Sequence, residues 1–525
     1  MRINKWMMAV VVLALAYAVV LSLGLGDSAI HWDEVNHLNG PLLLIRGQIW
    51  DYAAINSYYP PLYNIVTAVY FLIAGASVFT ARLVSLTFSV FLILLVYKTS
   101  RDMYSSKVGF VASLFFAVMP GIVLLSGLAM IETMLLFMVS FSLLFFFRWL
   151  QTSSRTDLSL SAVAFVLGAF VKYQALVVVP IIMLFSLIVM GKCGVIKAEF
   201  TRIIHSKRIW LSAALAVTAV IFLYEFYASG LLEVWIYAIQ IGGVGQSEYS
   251  VRFPSPIFYF IEMVWPYADN HPVSLLLYLL GIAGLGFFAY RRKPQDKFLL
   301  VWFIVVYVVF TLIPNRQWRY VTLAFPVLAI SAAELLTRAL SKLQALWQSK
   351  ISSASKKQLS KVAAGFLIVL TAAGVFYSVS DAYVWVTEDQ IQVPTEEAVL
   401  YIASKSPFNG SVLLLCPFNR FNKDMVWFYL NSKSASSIQV YQYPTLAVDA
   451  YPFDFNVTQL VGYCQTNGTK FLLLYEYEST PTYYGSSLNE QLVYDMLNST
   501  GKFHVEATFG LAPRRMYVFS FDASG

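Results

Sequence analysis

The sequence predicts a polytopic α-helical membrane protein of about eleven spans with a C-terminal extracytoplasmic α/β domain. Three observations predict it. The 525 residues are 58% hydrophobic and only 12% charged, where a soluble chain carries about a quarter charged residues. Apolar runs long enough to cross a hydrocarbon core of about 30 Å recur along the first 380 residues. Beyond residue 380 no such run occurs, and fourteen acidic side chains stand against eight basic ones. Residues 1–380 therefore read as a transmembrane domain, with interfacial helices in 26–80, and residues 381–525 as a soluble domain.

The runs are 7–25, 81–98, 108–125, 134–150, 158–171, 174–190, 209–228, 272–290, 298–313, 320–337 and 362–380. The first follows Arg2 and Lys5 and lacks a small-residue cleavage site, so it reads as a retained anchor. Lysine and arginine enrich cytoplasmic loops. With the N-terminus inside, the basic groups at Lys98–Lys107, Lys192–Arg208, Arg291–Lys297 and Lys342–Lys361 all fall on that side. The alternation requires 61–75 not to cross; it follows Pro60-Pro61, and fifteen helical residues rise only about 22 Å. It is expected as an interfacial helix on the outer leaflet. The protein is then a multi-pass cell-membrane protein with its C-terminal domain outside.

In that last domain, strand-like runs occur at 411–416, 470–476 and 515–521. Helical patterns lie near 394–404, 423–431, 456–465 and 488–499. Four N-x-[ST] sequons, at Asn409, Asn456, Asn467 and Asn498, cluster there as glycosylation candidates. Of Cys193, Cys416 and Cys464, only the last two share a side of the membrane and could pair.

This orientation gathers polar groups on the outer face. The first loop carries His31, Asp33, Glu34, His37 and Tyr59; the second carries Glu132; the third junction is Lys172-Tyr173. The fourth loop, 229–271, holds Glu248, Arg252, Glu262 and His271, and the fifth holds Arg316, Arg319 and Tyr320. Each has a bland alternative. Asp33 suits a helix N-cap, Lys172 could snorkel, and Arg316 and Arg319 could anchor at the interface beside Trp318. Together they match a different chemistry. A carboxylate can deprotonate a hydroxyl, and lysine and arginine bind phosphate. Departure of a sugar from an anomeric phosphate needs its leaving charge neutralised. The set fits transfer of a hexose from a polyprenyl-phosphate donor to an acceptor hydroxyl.

No Walker-type loop, nucleophile elbow or Cys/His metal spacing appears; His31 and His37 beside acidic residues leave room for a divalent metal but do not require one. The basic loops are explained by membrane orientation, so nucleic acid is not an expected partner. A membrane transporter or lipid-binding scaffold is the rival reading, though transporters show repeats and mid-span polar groups. A glycan ligase or polymerase is the rival among enzymes.

The order of short motifs resembles the polytopic GT-C glycosyltransferases, in particular the dolichyl-phosphate-mannose protein mannosyltransferase-like group that includes bacterial aminoarabinose lipid A transferases. The resemblance rests on Asp33-Glu34 after the first span, Tyr59-Pro60-Pro61-Leu62-Tyr63, Ala81-Arg82-Leu83, Met119-Pro120-Gly121 ahead of Glu132, Val171-Lys172-Tyr173, and Arg319-Tyr320 before Pro326. It implies Asp33 as the catalytic carboxylate and Glu132 as the second acidic site residue. It also implies Lys172, Arg316 and Arg319 as holders of the lipid phosphate. Two departures matter: His37 replaces a common aromatic, and Pro60-Pro61 lacks the lysine of the aminoarabinose enzymes. The Trp-Trp-Asp-Tyr-Gly signature of oligosaccharyltransferases is absent.

Overall fold

The computed structural model describes residues 5–56, 59–189, 201, 248–264, 271–349, 353–389, 392–405, 410–415, 420–433, 438–443, 455–476 and 490–523. The run 209–228, Asn409 and Cys193 lie outside them, as does Cys416. Cys464 is a buried free thiol whose pKa is pushed up to about 12 by that burial.

The described residues form two compact units, one of residues 1–23, 48–66 and 82–387, the other of residues 24–47, 67–81 and 388–525. The helices in chain order are α1 Lys5–Ser22, α2 Val35–Ile45, α3 Ile49–Asn56, α4 Leu62–Ala74, α5 Val78–Met103, α6 Ser106–Ala117 and α7 Pro120–Ser126. Next come α8 Glu132–Thr152, α9 Arg155–Val171, α10 Val178–Val189 and α11 Phe258–Glu262. They are followed by α12 Leu275–Arg291, α13 Pro294–Leu312, α14 Phe325–Gln348 and α15 Ala354–Asp389. Among the described residues six helices are long and apolar enough to cross a membrane, or seven if the bent pair α6–α7 is one span. The short helix expected at 61–75 is α4.

The break between α6 and α7, bent by 68°, divides a run expected as one span. Its cause is Met119-Pro120. Proline at the first helical position lacks an N–H, and its ring pushes Met119 to an extended ψ of 121°. The freed Val118 carbonyl accepts a 2.5 Å hydrogen bond from Ser378 Oγ. A hydroxyl chain, Tyr17–Ser126–Ser89, runs close by with 2.7 Å spacings. Backbone and hydroxyl groups in an apolar surround need such internal partners.

Elsewhere the helices meet through aromatic rings and glycines. Phe298 packs at 4.9 Å from both Phe147 and Phe185. Gly284 on α12 lies so close to α14 that a Cβ there would stand 2.3 Å from the Ser331 carbonyl oxygen. At the ends of α5, α12 and α13 the buried charges compensate each other. Arg291 donates to both Asp296 oxygens, at 2.6 and 2.5 Å, and to Glu334 at 2.5 Å. Tyr104 adds a 2.7 Å bond to Asp296, and Arg338 donates to Glu334. A lone buried charge here would cost several kcal/mol.

The second unit contains a five-stranded sheet, β1 Ser411–Leu415, β2 Val440–Tyr443, β3 Thr469–Tyr475, β4 Phe503–Phe509 and β5 Met516–Phe521. The order is β2-β1-β3-β5-β4, with β2, β1 and β3 parallel and β5 and β4 antiparallel. Helices α16 Thr395–Ser404, α17 Lys423–Lys433, α18 Val457–Thr466 and α19 Glu490–Ser499 accompany it. Leu413, Leu415, Leu472, Leu474 and Phe519 pack with Leu460, Cys464, Val493 and Leu497. The alternating Val412, Leu414 and Leu473 are equally buried, so both faces are covered. The three strand runs expected from sequence are β1, β3 and β5, the sheet's centre. β2 and β4 are its edges, half-exposed and without the continuous apolar run that marks a central strand.

Glu476, at the end of β3, receives two 2.7 Å bonds from the Arg515 guanidinium, which hold its carboxyl below the usual range. A depressed native pKa contributes stability above the ordinary carboxylate value and loses it as pH falls through the native one. Hydrogen exchange over 469–476 and 515–521, corrected for intrinsic rate, is expected to accelerate between neutral pH and pH about 3. In Glu476→Gln that acid-induced acceleration shrinks. In the membrane unit, Gly284→Ala is expected to destabilise by about 1–3 kcal/mol through overpacking against Ser331, read as a lowered melting temperature in detergent.

Candidate functional site

Each unit holds part of the residue set expected from sequence. In the first, the site begins with the segment leading into α8. Ser85 on α5 takes the Met130 amide at 3.2 Å and donates to the Met130 carbonyl at 3.0 Å. Tyr63 meets the same hydroxyl at 2.9 Å. That double clasp fixes the chain two residues before Glu132, the first residue of α8, which is 4% exposed.

Lys172 ends α9 in extended conformation, φ −160° and ψ 136°, before the 3-10 turn Tyr173–Val177. Gly168 lets this end approach α8: a Cβ there would already lie 3.3 Å from Met138 Cβ. Lys172, 7% exposed, places its ammonium 3.1 Å from Glu132 Oε1 and 5.6 Å from the centre of the Tyr320 ring. Glu132 Oε2 is buried and has no hydrogen-bond partner among the described residues. Arg319 lies in electrostatic reach of Glu132 and donates to Gln317 at 2.7 Å. It shares with Tyr320 the 3-10 turn Trp318–Ala324, which leads into α14. The arrangement is a buried cation with one counter-charge, an aromatic face and a second cation nearby. An ammonium so placed can accept a further anion at little reorganisation.

The other basic candidates are used differently. Arg316 donates from Nε to the Thr311 carbonyl at 3.2 Å and from Nη1 to the Ser250 carbonyl at 3.1 Å. Its guanidinium ties the end of α13 to the 3-10 turn Glu248–Val251. Arg252 is exposed and lies over the Phe253 ring at 5.5 Å. Tyr59 and Tyr173 are half-buried. Tyr259, not among the outer-face groups expected from sequence, and Glu262, expected there as a fourth-loop carboxylate without an assigned role, are both buried beside it. Tyr259 and Glu262 occupy α11, and Tyr259 lies in electrostatic reach of Tyr320, Arg316 and Glu262. Their three-residue spacing on one helix face was the available signal; their burial was not legible.

In the second unit, His31 caps the turn Trp32–Glu34. Its Nδ1 accepts from the Asp33 amide at 3.1 Å, while the His31 amide donates to Glu34 Oε2 at 2.7 Å. Because that ring nitrogen is an acceptor, the 3.8 Å approach of Asp33 Oδ2 to it is no ion pair. Capping thus falls to His31 and Glu34, and Glu34 is completely buried. Asp33 is not the cap, and its side chain is 36% exposed. His37 is buried on α2. Asn456 caps α18 through Oδ1, Asn467 donates to the Tyr463 carbonyl, and Asn498 is exposed on α19. Among the described residues no group of three or more His, Cys, Asp or Glu side chains converges as a metal cage would require.

Residues 59–224 match the family model of dolichyl-phosphate-mannose-protein mannosyltransferase. Among solved structures, the chain is similar to ArnT from Cupriavidus metallidurans bound to undecaprenyl phosphate, at 16% identity and TM-score 0.63 over 98% of each chain. The apo form of that protein gives 14% identity and TM-score 0.62, again over 98% of both. AglB from Archaeoglobus fulgidus, an oligosaccharyltransferase in complex with an inhibitory peptide and a dolichol-phosphate, gives 14% identity and TM-score 0.53. That match covers 89% of this chain and 69% of AglB. No curated protein sequence matches the chain. The chain has the GT-C glycosyltransferase fold, as the motif order implied.

Removing one partner of the buried pair isolates the other. Lys172→Met is expected to destabilise the protein by about 3–5 kcal/mol, and adding Glu132→Gln to recover much of that loss. A double-mutant cycle of thermal melts in one detergent checks it; equal losses in the single and double variants would contradict the pairing.

Proposed function

We propose that this protein is an inverting glycosyltransferase that moves a hexose from a polyprenyl (dolichyl)-phosphate donor to an acceptor hydroxyl on the outer face of the cell membrane. The observation that carries the reading is the buried Lys172 ammonium, held between Glu132 and Tyr320 with Arg319 in reach. The family model that matches residues 59–224, and solved relatives of the same fold holding undecaprenyl phosphate or dolichol-phosphate, support it.

In the reaction, Asp33 takes the proton of the acceptor hydroxyl, and the oxygen attacks the anomeric carbon. The bond from that carbon to the lipid-phosphate oxygen breaks, with inversion. The departing phosphate carries its charge away without protonation because Lys172 and Arg319 neutralise it. Glu132 holds Lys172 in place before the phosphate arrives. Glu34 shapes the Asp33 turn through its bond to the His31 amide, and His37, Tyr59, Tyr173 and Tyr320 are the further residues assigned to substrate contact. Arg316 and Arg252 act as scaffold and peripheral cation. A mannosyl donor is the first to try, given the name of the matching family; the acceptor is a protein, lipid or growing glycan. The N-terminus is cytoplasmic and residues 381–525 lie outside, where the sequons become glycan sites in a cell that modifies them.

Reconstituted protein supplied with labelled polyprenyl-phosphate hexose and an acceptor mixture should release polyprenyl phosphate. Loss of a general base costs about 10²–10⁴-fold in rate, so Asp33→Asn is expected to fall by that much while still binding donor. Full turnover by Asp33→Asn would remove Asp33 from the role. Transport of the labelled lipid without sugar release would favour the transporter reading.

A further inference from the structure

The helix that follows Asp33 is held unlike an interfacial helix. A surface helix buries one face, yet seven consecutive residues of α2, His37 to Leu43, are buried. Polar groups on α2 also have defined partners in the C-terminal α/β fold. Asn39 Nδ2 donates to the Asp424 carbonyl on α17 at 3.0 Å. Arg46, immediately after α2, donates from Nη1 to Asn431 Oδ1 at 3.4 Å and from Nη2 to the Asn431 carbonyl. Asn431 is itself fixed, 1% exposed. Its Nδ2 donates to the Trp427 and Ile438 carbonyls at 2.9 and 3.3 Å, and its Oδ1 accepts from the Ile438 amide at 3.1 Å. Ile438 leads into β2, whose Val440 pairs with Val412 on β1. Phe71 on α4 adds a ring contact with Phe428 of α17, at 6.2 Å between centroids.

We propose that the C-terminal α/β fold sets the position of Asp33, with Arg46 and Asn39 as positioning residues acting through α2. The inference rests on the role given to Asp33 above. A helix of eleven residues is a rod about 16 Å long, so a shift where Arg46 meets Asn431 is carried to the turn that bears Asp33. The bonds from the His31 amide to Glu34 and from the Asp33 amide to His31 Nδ1 stiffen that turn at the other end. A reacting group displaced by about 1 Å loses up to about a hundredfold in rate, which makes such an anchor consequential. The residues involved are about 385 positions apart in the chain, so residues 388–525 are part of the catalytic apparatus and not an appended module.

The test uses full-length reconstituted protein with Arg46→Ala, Arg46→Lys and Asn39→Leu, the last keeping volume while removing the donor. Hydrogen exchange over residues 31–45 reads the anchor without reference to any reaction: it should accelerate in Arg46→Ala and return partway in Arg46→Lys. Unchanged exchange in Arg46→Ala overturns the anchor, even if no transfer reaction is found. With transfer measured, kcat should fall by about tenfold in Arg46→Ala and Asn39→Leu, with KM for the polyprenyl-phosphate donor unchanged and partial recovery in Arg46→Lys. Wild-type kcat despite accelerated exchange, or loss of kcat only in proportion to unfolded protein, overturns the positioning role.

Discussion

The buried contact between Glu132 and Lys172 constrains most of what surrounds it. An ammonium in an apolar surround is tolerable only with a counter-charge in contact, and a carboxylate equally so. Their 3.1 Å approach therefore fixes the start of α8 against the end of α9. The local structure serves that contact. Gly168 permits the two helices to close, Ser85 and Tyr63 hold the segment before Glu132, and the break after Val171 turns Lys172 inward. The second Glu132 oxygen has no hydrogen-bond partner among the described residues. An unfilled buried acceptor costs about 1–3 kcal/mol, a cost that a bound hydroxyl or water removes.

A second charged cluster in the same unit treats charge in another way. Around Arg291, Asp296 and Glu334 the guanidinium bonds both carboxylates, and Tyr104 and Arg338 add further donors. That cluster is compensated from within and has the character of a structural clasp. At Lys172 a single carboxylate oxygen faces the cation and a second cation stands in reach. The contrast separates a network that closes on itself from one arranged to receive an anion.

Much of the fold was legible because it follows from length and apolarity. The long apolar helices among the described residues, the short helix at 62–74 and the three central strands announce themselves as continuous apolar stretches. What was hidden follows from causes that a linear reading does not reach. The edge strands β2 and β4 lack apolar continuity because half of each faces outward. The kink at Met119-Pro120 was written in the sequence but outweighed by the apolar run around it. At the site, Lys172, Glu132, Arg319 and Tyr320 were found as residue types at helix ends. Arg316 is expected at the phosphate from its charge and from the motif resemblance, whereas its guanidinium is engaged by two backbone carbonyls. Glu262 is visible in the sequence as a loop carboxylate, but Tyr259 is not, because burial, unlike charge, is a property of the fold. The bonds from Asn39 and Arg46 to α17 could not be foreseen at all.

The central claim is that Lys172 and Arg319 receive the phosphate of a polyprenyl carrier. It is tested most directly by an experimental structure of the protein in a lipid nanodisc with a polyprenyl phosphate bound. Phosphate oxygens are expected within about 4 Å of Lys172 Nζ, the range of an ion pair, with Arg319 turned toward the same group. A phosphate bound elsewhere, with Lys172 still engaged only by Glu132, would contradict it.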